Sequence, residues 1–368
     1  MQKARQGSVS SGRPSTLMDI ARVLGLSAMT VSRALNGHPA VKDETRRQVM
    51  QKAAELNYQP NLWARSLVTN RSHLVGLVIP DISHAFYAEV TLGIQQAIEE
   101  KGYSLLLCNS GRDPKAELRE IEALVAARMD GLIVASTQPE EAWGYFARLK
   151  EKGLQFVLID RFFQKLNCSR LTADDLEVGR IATEHLICLG HMRIAHVCGP
   201  AISPGRLRKE GYLRALQSHA LTVNPSWIVP GNFRMEDSYQ AARFLLQLPD
   251  QPTAIFAGSD YGAFGAIQAC RDAGYEVPRD ISVIGAGNIE GDRHPNPFLS
   301  TVDWDRHELG REAARVLVGM IVSSGQARPM KRMFAPMLLV RQSTAPPGGG
   351  CQGKVESSAF QQSRMFRF

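Results

Sequence analysis

Thr16-Leu17-Met18-Asp19-Ile20-Ala21-Arg22-Val23-Leu24-Gly25-Leu26-Ser27-Ala28-Met29-Thr30-Val31-Ser32-Arg33-Ala34-Leu35-Asn36 reads as two short helices joined by a tight turn. Thr16 and Asp19 have the spacing of a capping box, in which the hydroxyl accepts an amide of the first turn and the carboxylate reaches back. Ile20, Ala21, Val23 and Leu24 supply the apolar stripe. Gly25 ends the helix, since a residue without a Cβ adopts positive φ at little cost. Leu26 is placed to pack inward and Ser27 to cap a second helix over 28–36, with Val31, Ala34 and Leu35 as its inner face. Ala28, Met29, Ser32 and Arg33 point elsewhere, and Gly37-His38-Pro39 breaks the helix. A third helix over 43–56 opens on two acids and buries Val49, Ala53 and Leu56. Helix, glycine turn, short helix, loop and helix is the layout of a helix-turn-helix domain.

Charge points the same way. Residues 1–73 hold eleven Lys/Arg and four Asp/Glu, which accounts for the whole formal net charge of +7; the other 295 residues hold 32 of each sign. A basic head on a neutral body fits a nucleic-acid-binding module joined to something else. Charge alone leaves open a solvated basic face without a partner. The six cysteines form no CxxC pair and none lies in the head, which excludes a zinc finger there and fits a reducing cytoplasm.

The 368 residues, 44% apolar and 21% charged, are enough for two or three domains. The sequence has no run near the ~18 apolar residues of a membrane span and no apolar signal core at its N-terminus, so neither secretion nor membrane insertion is expected. Polar, low-complexity composition marks 1–14 and 343–368 as disordered tails. Between them, the expected divisions are a helix-turn-helix domain over 15–59, a hinge and linker over 60–73, and a body over 74–342. In the body, apolar runs at 74–79, 103–108, 131–135, 155–159, 193–198, 253–257, 281–284 and 334–340 read as strands. They alternate with amphipathic stretches at 86–101, 114–128, 176–189, 204–220, 237–248 and 261–273. Such alternation indicates parallel sheets. The length calls for two α/β lobes, with a ligand in the cleft at the carboxyl ends of the strands.

The run 16–36, followed by Val41–Arg46, Leu56–Asn61 and Ala64-Arg65-Ser66-Leu67, resembles the lactose/galactose-repressor family of bacterial regulators. The similarity continues through Val78-Ile79-Pro80-Asp81-Ile82, Ile159-Asp160-Arg161, Leu189-Gly190-His191, Ser259-Asp260, Val277–Ser282 and Ser300-Thr301-Val302, so it covers about 16–341 in register. It implies an all-α helix-turn-helix head and a two-lobed, periplasmic-binding-protein-like α/β effector domain. The function implied is that of a transcription regulator, a repressor, whose operator affinity responds to a small molecule. The expected partners are double-stranded operator DNA, that effector and a second copy of the chain. No membrane, cofactor or metal is expected, and the location is the bacterial cytoplasm, on the nucleoid.

Residue by residue, the resemblance places Thr16, Ser27, Ala28, Met29, Thr30, Ser32, Arg33 and Asn36 at the DNA. Arg33 is suited to guanine O6/N7. Ala28 and Met29 offer apolar contact only, or merely pack. Thr30 and Ser32 are suited to phosphates, which position without specifying. Asn61, Ala64, Arg65 and Leu67 match a hinge helix under two turns long, marginal alone; Leu67 matches its minor-groove wedge, the alternative being an ordinary linker leucine. A dimer is expected, because the C-terminal tail lacks leucine heptads. In the body the implied effector residues are Asp81, Phe86, Ser136, Arg161, Arg208, Phe233, Asp260 and Asn288, each of which has an alternative as a structural strand-end residue. Two departures stand out. Gly287 replaces an Asp common among sugar-sensing members, and Asp175 replaces the usual Asn. The nature of the effector therefore stays open.

Two rival classes share the scaffold: a metabolic enzyme and a solute-binding protein. The segment from Gly285 fails GxGxxG at Glu290, and GxxxxGK[ST], HExxH and GxSxG are all missing. A solute receptor has no use for the basic head.

Overall fold

The computed structural model describes residues 15–35, 37–58, 71–291, 295–323 and 328–348. The chain divides into two compact units between Ser72 and His73.

In the first unit, α1 spans Leu17–Leu24, α2 Ala28–Leu35 and α3 Asp43–Glu55. The capping box forms: the Thr16 hydroxyl donates to the Asp19 carboxylate (2.6 Å), which also accepts the Thr16 amide (2.9 Å), while the Asp19 amide reaches Thr16 Oγ1 (3.3 Å). Gly25 takes φ 64° and closes α1. Ile20, Ala21, Val31, Ala34, Val41, Val49 and Ala53 make a buried core, ringed by Leu17, Leu24, Leu26, Leu35, Leu56 and Tyr58. The Ser15 hydroxyl donates to the Leu56 carbonyl (2.7 Å), tying the two ends of the unit together.

The second unit contains two six-stranded sheets. In the first the order is Lys331–Phe334 (β11), Ser169–Ala173 (β5), Phe156–Ile159 (β4), Gly131–Val134 (β3), Leu74–Ile79 (β1) and Ser104–Asn109 (β2), all parallel. In the second it is Met337–Leu339 (β12), Ser300–Asp303 (β10), Ser282–Ala286 (β9), Ala254–Ala257 (β8), Ile194–Cys198 (β6) and Ile228–Pro230 (β7). Only β12 runs antiparallel there. Central strands such as Val75–Ile79 and Ala254–Ala257 are buried on both faces, hence their unbroken apolar runs. Helices α4 (Ala85–Glu99), α5 (Pro114–Ala126), α6 (Trp143–Glu151) and α11 (Arg306–Val322) belong to the first lobe, and α7 (Asp175–Cys188), α8 (Ser203–Ser218), α9 (Met235–Leu245) and α10 (Asp260–Asp272) to the second.

The chain crosses between lobes three times, at Asp174, at Trp304-Asp305 and at Ala335-Pro336. The last crossing corrects one sequence expectation. Residues 334–340 are not one strand: β11 joins the first sheet and β12 the second, and Pro336, with no N–H to give a ladder, sits at the break. A second correction concerns the tail. Residues 343–348 are part of the body: Ser343 is fully buried, its Oγ accepts the Ser300 amide (2.7 Å) and donates to the Val283 carbonyl (2.6 Å), and Ala345 exchanges bonds with Ser282. Serine hydroxyls satisfy backbone groups there, so polar composition misled.

Candidate functional site

In the first unit α2 is set by its cap. The Thr30 amide donates to Ser27 Oγ (3.1 Å), and the two hydroxyls lie 2.8 Å apart. Burying Val31 and Ala34 leaves Met29 (63% exposed) and Arg33 outside. Met29 therefore does not pack into the core; Ala28 and Ser32 are half-buried. A shallow groove runs along Met18, Arg22, Gly25, Ser27 and Ala28, between α1 and the start of α2. The Arg46 guanidinium donates to the His38 carbonyl (3.1 Å) and holds the loop between α2 and α3. Asn36, Asn61, Ala64, Arg65 and Leu67 lie outside the described residues.

In the second unit a cavity of about 340 Å³ lies between the lobes at the strand carboxyl ends. Of the anticipated residues, Phe86, Arg161, Arg208, Phe233 and Asp260 line it. Arg161 is fixed by Asp160 (3.3 Å) and by the Ser136 carbonyl (3.0 Å), and Asp160 also accepts the Tyr87 hydroxyl (2.9 Å). Phe233 reaches the floor because Asn232 and Phe233 both take positive φ (52° and 57°). A Cβ on Gly199 would lie 2.1 Å from its ring, so glycine is required beneath it. Asp260 is buried at the start of α10, accepting Thr301 Oγ1 (2.6 Å) and the Ile289 amide (2.8 Å). Burial pushes its carboxyl up to about 6 despite those bonds.

Three anticipated residues are placed otherwise. The Ser136 hydroxyl is spent on buried Glu117 (2.6 Å), and only its carbonyl serves the site. Asn288 donates to Asp303 (2.8 Å) and accepts from Arg341 (2.7 Å), outside the cavity lining. Asp81 pairs with Arg112 (3.2 Å) in an outer groove of about 200 Å³ that shares His84, Phe233, Arg234 and Tyr261 with the mouth of the cavity. Polar strand-end residues are equally good structural ties, and sequence does not separate the two uses.

Gly287 has φ 127°, a conformation that a side chain disfavours, and its carbonyl accepts from Arg306. A Cβ on Gly285 would lie 2.3 Å from Asp260 Oδ1. The acidic group at this end of the cavity is thus Asp260, packed against glycine backbone. Sequence reasoning missed Trp304, His84, Tyr87 and Tyr261, and noted Asp175 only as a departure. Trp304, just past β10, lines the cavity. Asp175 pairs with Arg208 through its Oδ1 (Nε 2.8 Å, Nη2 2.7 Å).

Residues 16–61 match the family described as bacterial regulatory proteins, lacI family, and residues 183–344 match the periplasmic binding protein-like domain. The ribose operon repressor of Escherichia coli K12 is 34% identical over 329 residues, covering 89% of this chain and 99% of that protein. The chain belongs to the lacI family. The transcriptional repressor PurR of Haemophilus influenzae is 32% identical over 332 residues, 89% of this chain and 98% of its own. Among solved structures, the Lac repressor dimer bound to operator and an anti-inducer superposes with a TM-score of 0.81 at 26% identity, over 90% of this chain and all of that one. The CelR–cellobiose complex gives 0.67 at 30%, again over 90% of this chain and all of that one. No helix among the described residues is long and apolar enough to cross a membrane, and no cluster of three or more His, Cys, Asp or Glu among them is placed to hold a metal.

Proposed function

We propose that this lacI-family protein is a transcriptional repressor whose operator affinity is set by a sugar or related metabolite in the interlobe cavity. One observation carries the reading: a basic helix-turn-helix unit is followed by two lobes around a 340 Å³ cavity that combines arginine, carboxylate and aromatic walls. The operator in the Lac repressor structure and the cellobiose in the CelR structure are the corresponding ligands of relatives.

In this reading α2 enters the major groove with Arg33 and Met29 at base edges, and the Ser27 and Thr30 region at phosphate. Two chains pair and present two heads to a near-palindromic operator. Residues 60–73 form the hinge, with Leu67 as the wedge at the central base step. The body then extends from residue 74 through at least 348. Effector binding changes the lobe arrangement and shifts operator affinity by a coupling energy, typically about 1–3 kcal/mol. The protein works in the cytoplasm, with no reaction of its own.

The test is an anisotropy titration of the full chain with duplexes of varied sequence at several salt concentrations. Sequence-dependent affinity that falls steeply with salt is expected. Replacing Leu67 by Ala should cut specific affinity and leave effector binding intact. Equal affinity for every duplex, together with turnover of a small molecule, would favour an enzyme instead. Sedimentation should show a dimer.

A further inference from the structure

Of the four arginines that line the cavity, Arg208 is the one that is buried. It is 5% exposed, and its partner Asp175 is 2% exposed. Nε donates to Asp175 Oδ1 at 2.8 Å, Nη2 stands 2.7 Å from the same oxygen as an ion pair, and Nη1 donates to the Gly258 carbonyl at 2.7 Å. A guanidinium has five N–H donors, so three remain outside these two hydrogen bonds, one on Nη1 and two on Nη2. The rings of Phe233 and Trp304 lie 5.3 and 5.0 Å from the guanidinium carbon. With those rings at hand and two donors already engaged, the remaining N–H groups are what the guanidinium has left to offer a ligand.

The pair is held by its helices. Asp175 opens α7 and Arg208 lies in the second turn of α8. A Cβ on Gly179 would lie 2.0 Å from the Arg208 carbonyl oxygen, and one on Gly211 would lie 2.1 Å from the Leu176 carbonyl oxygen. The two backbones therefore pack directly against each other beside the ion pair, which fixes the helices that carry its partners.

The consequence is electrostatic. Arg112, Arg161, Arg208 and Arg234 line the cavity, as do Asp160, Asp237 and Asp260. Asp81 stands behind Arg112, and Asp175 behind Arg208. Four arginines thus face five aspartates, and the one guanidinium buried in the second lobe's wall is already neutralised. We propose that Asp175 is a positioning residue that sets effector specificity: by cancelling the charge of Arg208 and fixing the direction of its remaining donors, it selects an uncharged hydroxyl-bearing ligand and rejects the matching carboxylate. Like charges brought together in a desolvated site repel, so an acid arriving at Arg208 would meet Asp175 through the guanidinium. The inference rests on the cavity being the effector site.

The test compares the full-length wild type with Asp175→Asn, Asp175→Glu, Arg208→Gln and the Asp175→Asn/Arg208→Gln double variant. Thermal shift and calorimetry are read with glucose against glucuronate, galactose against galacturonate, and sodium sulfate against sodium chloride at equal ionic strength. Wild type and Asp175→Glu should show no uronate- or sulfate-specific stabilisation that depends on Arg208. Asp175→Asn should gain it, by about tenfold in apparent affinity, and the double variant should lose it again. A merely structural role would weaken Asp175→Asn and Asp175→Glu alike without changing ligand charge preference. Anion binding by wild type that Arg208→Gln abolishes would overturn the proposal, as would folded Asp175→Asn with no gain. If Asp175→Asn does not fold, the comparison of wild type with Arg208→Gln decides alone. None of these readouts involves operator DNA, so failure of the repressor reading is seen separately.

Discussion

The imidazole of His84 and the phenol ring of Tyr261 meet across the interlobe cleft, with centroids 4.6 Å apart at 54°. His84 caps α4 in the first lobe by accepting the Phe86 amide on Nδ1 (3.3 Å). Tyr261 is the second residue of α10 in the second lobe. Both line the inner cavity and the outer groove, so the pair stands where one opens into the other. Burial first, then the charge of Arg112, hold the His84 pKa down to about 4, and the ring is neutral at physiological pH.

Tyr261→Ala removes this contact, together with the Tyr261 hydroxyl, and leaves the hydrogen bonds of Arg161, Arg208 and Asp260 in place. Aromatic pairs contribute about 0.5–1.5 kcal/mol beyond their burial. Effector release should therefore quicken by about two- to tenfold, with a smaller change in association. Stopped-flow dissociation measures this; an unchanged release rate would show that the rings do not gate the cavity.

Arg33→Ala tests the reading helix. Arg33 is exposed on α2, while Val31 and Ala34 hold the helix to its core, so the substitution should leave folding intact. A bidentate arginine–guanine contact discriminates by about 1–3 kcal/mol. Specific affinity should fall by about that amount and random-duplex affinity much less. If both fall equally and the salt slope shrinks by about one, Arg33 contacts phosphate instead.

Much of this was legible in the sequence, for identifiable reasons. The capping box and Gly25 are local, three to nine residues apart, and their chemistry needs no tertiary partner. Strands such as Val75–Ile79 announce themselves because both faces are buried. Ser169–Ala173 and Ser300–Asp303 did not, because each mixes polar and apolar residues, and Ile228–Pro230 did not, because it is three residues long and ends on proline; all three owe their strands to partners elsewhere in the chain. Arg170 in the first of these stacks on Phe162, 3.8 Å from the ring centroid. The site divides likewise. Arg208 and Asp260 could be placed by motif, but Asp175 acquires its meaning only from a guanidinium 33 residues away. Ser136 and Asn288 have the right composition and the wrong partners.

Gly179→Ala should report on the packing of α7 against α8. The added Cβ would meet the Arg208 carbonyl oxygen at 2.0 Å, and neither backbone can shift while the ion pair holds. Overpacking of this kind costs about 1–3 kcal/mol. A loss in that range in urea unfolding is expected, with weakened effector binding because Arg208 is displaced. A neutral effect would mean that the helices separate freely.

The buried histidines fix the response of the protein to acid. His84, His185 and His196 have pKa values lowered from 6.5 to about 4 and His191 is lowered too, in each case chiefly by burial. The unfolded chain therefore takes up these protons first, and their contribution, complete above pH 6.5, is lost as pH falls toward 4. Asp175 and Asp260 oppose this. Burial raises them from 3.8 to about 6, so the folded state takes up their protons and gains stability as pH falls through 6 toward 3.8. The three histidines outweigh the two carboxylates, although partial exposure of His84 and His185 reduces their share. The body should lose on the order of 2–3 kcal/mol between pH 7 and pH 5. His196 is the clearest case: it is fully buried between Tyr212 and Phe256, its Nδ1–H donates to the Phe256 carbonyl (2.9 Å), and its Nε2 has no hydrogen-bond partner. Any proton added there enters an apolar site with no acceptor. His196→Phe keeps the ring stack and removes the titration, so urea unfolding at the two pH values should show the acid loss reduced by about 2 kcal/mol. An acid loss identical to that of the wild type would mean that His196 is not buried as a neutral ring.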